Sequence, residues 1–180
     1  MLEISNYVKI QNIRQSLHHE EAQTCTVKTA AQAWLSSLCA EYPIALTLTL
    51  KQSISHATAK GTTQKKISRL DCERIAQRFI QKLNQQVFGH SAKRYGKHLN
   101  FLVVLEGERT SKNLHLHMAI GNIPSHVKIN EIDTLVTKAK SLVEDIDEQH
   151  KVDIADSGWM EYITKECGRH DTENVLWQLK

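Results

Sequence analysis

An α+β fold built on an antiparallel sheet is what this chain predicts, and two observations lead to it. Ile44 to Leu50 and Leu114 to Ile120 alternate apolar and polar residues, the period of a strand with one buried face. Ile67 to Phe88 and Ile129 to Ile146 instead repeat their apolar residues at helical spacing. With 180 residues, 41% of them hydrophobic and only two prolines, the chain can bury a sizeable core.

Residues 1–43 read as an amino-terminal extension with two helices. The clearer one spans Ala30 to Tyr42, where Trp34, Leu35 and Leu38 form an apolar side that Pro43 ends. Ile44 to Leu50 follows as the first strand, with Thr47 and Thr49 sharing a face. Lys51 to Lys66 is polar, contains Gly61 and reads as a loop. The helix from Ile67 to Phe88 buries Ile67, Leu70, Ile75, Phe79, Leu83 and Val87, and Gly89 is placed to cap it.

His90 to His98 reads as a basic loop, Leu99 to Glu106 as an apolar strand and Gly107 to Lys112 as a hairpin connection. Leu114 to Ile120 is the paired strand, ended by Gly121 and Pro124. A helix over Ile129 to Ile146 and a short strand at Lys151 to Ile154 come next. Ser157 is the expected N-cap of a last helix carrying Tyr162 and Lys165. Strand, helix, strand, strand, helix, strand is the split βαβ, ferredoxin-like (RRM-like) order. The two long helices would cover one face of the sheet and leave the other, with His115 and His117, for function.

The net charge of +3 is unevenly distributed. Lys51 to Asn100 holds eleven Lys or Arg residues against Asp71 and Glu73. Glu131 to Glu148 holds six acids against Lys138 and Lys140. Such separation produces a positive region suited to a polyanion. Lys65, Lys66, Arg69, Lys93 and Arg94 are the candidates for backbone phosphates, and Thr47 and Thr49 for the floor of a nucleic-acid groove. Four scattered cysteines without a CxxC pair favour reduced thiols in a cytoplasmic protein over disulfides or a zinc knuckle. The longest apolar run, Phe101 to Leu105, is far too short for a membrane span, and no secretory signal layout is expected at the amino terminus. A G-x-x-x-x-G-K-[ST] segment is absent, so a built-in helicase of the P-loop type is not expected.

The residues that carry chemistry are fewer. His115 and His117, one residue apart on a strand, face the same side and can share a divalent metal. Glu106, at the end of the partner strand, is the natural third ligand, with Glu108 as the other candidate. Tyr162 is a nucleophile when nearby positive charge stabilises its oxyanion, and Lys165, three residues on, is expected on the same helix side.

As a set, these residues resemble the HUH endonuclease superfamily, in its single-tyrosine replication initiator (Rep) class. Leu46 to Leu50 matches the first motif strand. His115, Leu116 and His117 match the His-hydrophobic-His motif, and Tyr162 and Lys165 match Tyr-x-x-Lys. The resemblance spans about residues 44–166 and implies metal-dependent nicking and joining of single-stranded or hairpin origin DNA. It further implies Mg²⁺ or Mn²⁺ as cofactor, a covalent 5′-phosphotyrosine intermediate and rolling-circle replication of a plasmid or phage-like element. A host helicase and DNA polymerase would be partners. Lys165 differs from single-tyrosine transposases, where glutamine is typical, and the lone tyrosine differs from two-tyrosine initiators. A transposase or relaxase is an alternative within the same chemistry. A non-catalytic nucleic-acid-binding module is the alternative from another class.

Overall fold

The computed structural model describes residues 27–59, 61–108, 113–165, 167, 173–176 and 179. The first of the two expected amino-terminal helices lies outside them, as does most of the connection expected at Gly107 to Lys112. The architecture is α+β, with a four-stranded antiparallel sheet and helices on it.

The first helix, α1 (Val27–Ser37), is followed by a short 3-10 turn at Cys39–Glu41. β1 (Ile44–Leu50) comes next, and then a separate two-stranded ribbon, β2 (Ser53–Thr58) and β3 (Gly61–Lys66). The sequence reads this segment as a loop. Ile54 is its one large apolar residue, so neither face carries the hydrophobic alternation by which a strand is recognised.

α2 (Arg69–Phe88) starts two residues later than the apolar spacing predicts, because Ser68 and Asp71 close a capping box. The Ser68 backbone N–H donates to Asp71 Oδ2 at 2.9 Å, and the Asp71 N–H donates to Ser68 Oγ at 3.3 Å. Gly89 ends the helix with φ at 56°, as its position predicts. The basic segment after it is a short helix, α3 (His90–Tyr95), where a loop was expected.

β4 (Asn100–Glu106) and β5 (His115–Gly121) form the expected antiparallel pair. A 3-10 turn at Ile129–Glu131 leads into α4 (Ile132–Lys140). The helix thus stops short of the expected Ile146, which instead opens β6 (Ile146–Ile154), a strand longer than Lys151 to Ile154. α5 (Ser157–Ile163) closes the described elements. Its N-cap is Asp156 rather than Ser157: the Asp156 carboxylate accepts from the Trp159 N–H at 2.7 Å.

Strand order in the sheet is β4-β5-β1-β6. Ile44, Leu46, Leu48 and Leu50 of β1 join Leu116, Met118 and Ile120 of β5 beneath Ile75, Phe79, Ile80 and Leu83 of α2, with Val136 of α4. Buried Asn84 ties α2 to the start of β4 by accepting from the Leu99 N–H at 2.8 Å.

The opposite face was expected to be open, and much of it is covered. Leu35 and Tyr42 from the amino-terminal side, and Met160 and Ile163 from α5, pack on Leu102, Val104 and Ala119 as a second core. The free edge of β4 is also partnered: Leu105 N–H donates to Asn174 O and Leu176 N–H to Val103 O, both at 2.8 Å. What remains accessible is the part of this face toward β6, where Thr47, His115, Lys151 and Asp153 line a cavity.

Cys72 and Cys167 are buried, and burial pushes the Cys72 thiol up to about 11. No helix of the described residues is long and apolar enough to cross a membrane.

Candidate functional site

Strand register brings the candidate residues together in two rows. Thr49 lies opposite His115, which lies opposite Glu106; Thr47 lies opposite His117, which lies opposite Val104. Directly opposed residues share a face, so Thr47, Thr49, Glu106, His115 and His117 all emerge on the side away from α2. β6 adds Lys151, opposite Thr47, and Asp153, opposite Ala45. Over this patch lies α5, whose Met160 and Ile163 enter the second core while Tyr162 remains 43% exposed.

A chain of polar contacts runs through the patch. Thr47 Oγ1 is 3.0 Å from His117 Nδ1, and His117 Nε2 is 2.6 Å from Glu106 Oε2. The same Glu106 oxygen lies 2.9 Å from Lys165 Nζ. That ammonium also sits 3.4 Å from the centroid of the Tyr162 ring.

Burial, more than any other influence, holds His117 below its ordinary value, against the pull of Glu106. A neutral ring then donates from Nε2 to the Glu106 carboxylate and accepts at Nδ1 from the Thr47 hydroxyl. For Lys165, burial is again the largest influence and pulls downward. Hydrogen bonds to Tyr162 and Glu106 outweigh it, so the ammonium is held above its ordinary value.

Lys165 does not reach Tyr162 along a helix. α5 ends at Ile163, and a turn in which the Lys165 N–H donates to Tyr162 O at 3.1 Å swings the lysine back. Thr164, fully buried, fixes that turn by donating its hydroxyl to Met160 O at 2.9 Å.

Aromatic rings complete the wall. Trp159 stacks on Tyr162 with centroids 5.6 Å apart and planes 17° apart. His117 meets both edge-on, at 5.3 Å from Tyr162 and 5.5 Å from Trp159. His115 lies nearly parallel to His117 at 6.2 Å. Together with Thr47 and Glu106, these rings line a cavity of about 960 Å³. The sequence reading passed over Trp159. Its spacing of three from Tyr162 was the available signal, since residues so spaced share a helix face.

The predicted phosphate-contacting residues lie elsewhere. Lys65 is 3.1 Å from Asp71, and Arg69 is 2.9 Å from Glu108 and 3.4 Å from Glu73. Lys66 and Arg69 border a separate hollow of about 410 Å³ beside Cys72 and Glu108. Lys93 and Arg94 on α3 are exposed but stand near the start of β4, about 20 Å along that strand from Glu106. Of the two carboxylates considered as third ligand, Glu106 touches His117, and Glu108 is held by Arg69.

Among the described residues, no three His, Cys, Asp or Glu side chains are already arranged around an ion-sized gap. Two imidazoles and a carboxylate on one strand face are nevertheless a donor set that suits a divalent cation, provided the His117 proton moves from Nε2 to Nδ1, where the Thr47 hydroxyl can accept it. Glu106 Oε2, shared by His117 and Lys165, would have to release a contact first. No family model matches the chain, and no curated protein or solved structure matches it either.

Proposed function

We propose that this chain is an HUH-type endonuclease of the single-tyrosine replication initiator class, which nicks and rejoins single-stranded or hairpin origin DNA. One observation carries the reading: a single ammonium, Lys165, joins the Tyr162 ring to the carboxylate that holds His117. A phenol, a carboxylate and an imidazole pair thus border one open cavity, and the Lys165 ammonium contacts both the phenol ring and the carboxylate. Strand order β4-β5-β1-β6, with α2 and α4 as the crossovers, supports the ferredoxin-like plan that the resemblance implies.

In this mechanism His115, His117 and Glu106 would hold Mg²⁺ or Mn²⁺, which would supply Lewis-acid polarisation of the scissile phosphate. The Tyr162 oxygen attacks phosphorus, forming the Tyr–O–P bond as the P–O3′ bond breaks; the phenol proton passes to solvent, and the leaving 3′ oxygen takes a proton from solvent to become a hydroxyl. Lys165, positively charged at neutral pH, stabilises the phenolate that develops on Tyr162. Thr47, by accepting from Nδ1–H, would leave the Nε2 lone pair of His117 facing Glu106. Because the phosphotyrosyl ester conserves the energy of the broken bond, a later 3′-OH reverses the step and joins strands. A polymerase would extend the first 3′-OH, and a separate helicase would unwind ahead of it.

A pool of hairpin oligonucleotides with randomised loops, incubated with the protein and Mn²⁺ and run on a denaturing gel, tests this. A protein–DNA band resistant to denaturation is expected, and it disappears in Tyr162→Phe. No band from any sequence, or a band that survives the substitution, refutes the proposal. A second reading, a non-catalytic single-strand-binding module, draws on the stacked Trp159 and Tyr162, a ready platform for a base. It predicts binding without any covalent band.

A further inference from the structure

The β2–β3 ribbon takes no part in either core beyond Ile54, and its composition is unusual for an exposed strand pair. β3 is exposed along its whole length. The register pairs Ser53 with Lys66, Ser55 with Gln64 and Ala57 with Thr62, so these six side chains form one face. All six are exposed. The face that begins at Ile54, with Lys65 turned to Asp71, is the one directed toward the body of the protein. The six outer side chains include one cation, Lys66, and no acid, while Lys65 and Arg69 are held by Asp71, Glu73 and Glu108.

We infer that the outer face of this ribbon is a reader of double-stranded DNA, entering the major groove of a duplex arm beside the nicking site. Shape favours it: a two-stranded ribbon about 20 Å long fits a groove about 12 Å wide. Chemistry favours it as well. Gln64, Ser55 and Thr62 offer donors and acceptors for base edges, Ala57 offers a methyl-sized contact, and Lys66 suits guanine or a phosphate. No acid stands among the six outer side chains, so none of them opposes approach to phosphates.

Position favours the same occupant. Gln52, at the ribbon's root, accepts from the Ile67 N–H through its carbonyl at 3.2 Å and from the Leu114 N–H through its side chain at 3.4 Å. Leu114 is the residue before His115, so the ribbon springs from the end of the sheet that carries the site. An exposed two-stranded ribbon gains little from burial, and a groove around it would supply that burial. The inference rests on the nucleic-acid reading of the site and not on the cleavage step.

The test is fluorescence anisotropy of the full chain with a random-sequence B-form duplex pool of about two helical turns, between about 50 and 200 mM salt. Wild-type affinity should fall steeply with salt. Gln64→Glu, which places an acid on the reading face, should weaken duplex binding by about tenfold or more. Thr134→Glu, the same charge increment on exposed α4, should change it by less than about twofold. Unchanged thermal unfolding of both variants shows that the ribbon's root is intact. The inference is overturned if Gln64→Glu binds as wild type does, if both variants lose affinity equally, or if an A-form RNA duplex competes as well as DNA. The covalent band is read in parallel. Duplex binding without a band sinks the nickase and spares the ribbon, and a band with Gln64→Glu indifferent to duplex does the reverse.

Discussion

Replacing Lys165 by Met keeps most of the side-chain volume and removes the charge, so its consequences follow from one ion pair. The ammonium lies 2.9 Å from Glu106 Oε2, where unit charges attract by about 6 kcal/mol at an effective dielectric constant of about 20. Glu106 has a side chain only 5% exposed, but that of Lys165 is 33% exposed, so solvent screens the pair from one side. Breaking a fully buried pair costs about 3–5 kcal/mol, and the screening brings the expected loss to about 2–3 kcal/mol at neutral pH. Because the folded-state pKa of Lys165 is raised, its contribution is complete below the ordinary 10.5 and is lost as pH climbs through the raised value. Urea unfolding of wild type and variant should therefore show a constant gap from neutral pH to about pH 10, narrowing above it. Lys165 also helps to keep His117 low, so the His117 imidazole should titrate at higher pH in the variant, as followed by NMR. A neutral-pH gap below about 0.5 kcal/mol, or an unmoved His117 titration, would refute the coupling.

The same substitution frees Glu106 Oε2 from a competing cation, so Mn²⁺ should bind Lys165→Met more tightly than wild type in an EPR titration, whatever happens to cleavage. Equal affinities would mean that Glu106 is not a ligand. Asp71→Ala should cost about 1–2 kcal/mol through loss of the capping box, with Lys65 adding little because its side chain is 47% exposed. The hydroxyl and backbone N–H of Ser68, and then Lys65, hold the Asp71 carboxyl well below its usual 3.8. Its contribution is present above that value and fades as pH falls below it, so the two unfolding curves should converge in acid.

The parts legible in the sequence are those where one face of an element is buried by local rule. β1 and β5 alternate because Leu46, Leu48, Leu116 and Met118 go under α2 while threonine and histidine go to the other side. That alternation placed His115 and His117, and the hairpin placed Glu106 across from His115. The β2–β3 ribbon was missed because its pairing buries almost nothing. β6 was taken in part for helix because Ile146 continues the spacing of Leu142 and Val143, although α4 stops at Lys140. The second core was invisible for a different reason: Leu35, Val104 and Ile163 meet only through long-range packing, which no local period announces.

Why α5 stops at Ile163 follows from the charge at its feet. Glu106 is 4% exposed, and an ionised carboxylate at that depth is costly unless a cation reaches it. His117, held neutral by its own burial, gives Glu106 a hydrogen bond and no charge. The compensating charge comes from Lys165, which the turn at Thr164 directs inward where another helical turn would carry it past. Structural demand alone therefore brings an ammonium to this point, and Tyr162 lies beneath it. Stabilising a developing phenolate then needs no further residue, because the cation that compensates the carboxylate already contacts the ring. Under the proposed mechanism its two duties would compete: to the extent that Lys165 turned toward a phenolate and phosphate, Glu106 would lose its counter-charge and become a better ligand for a divalent ion.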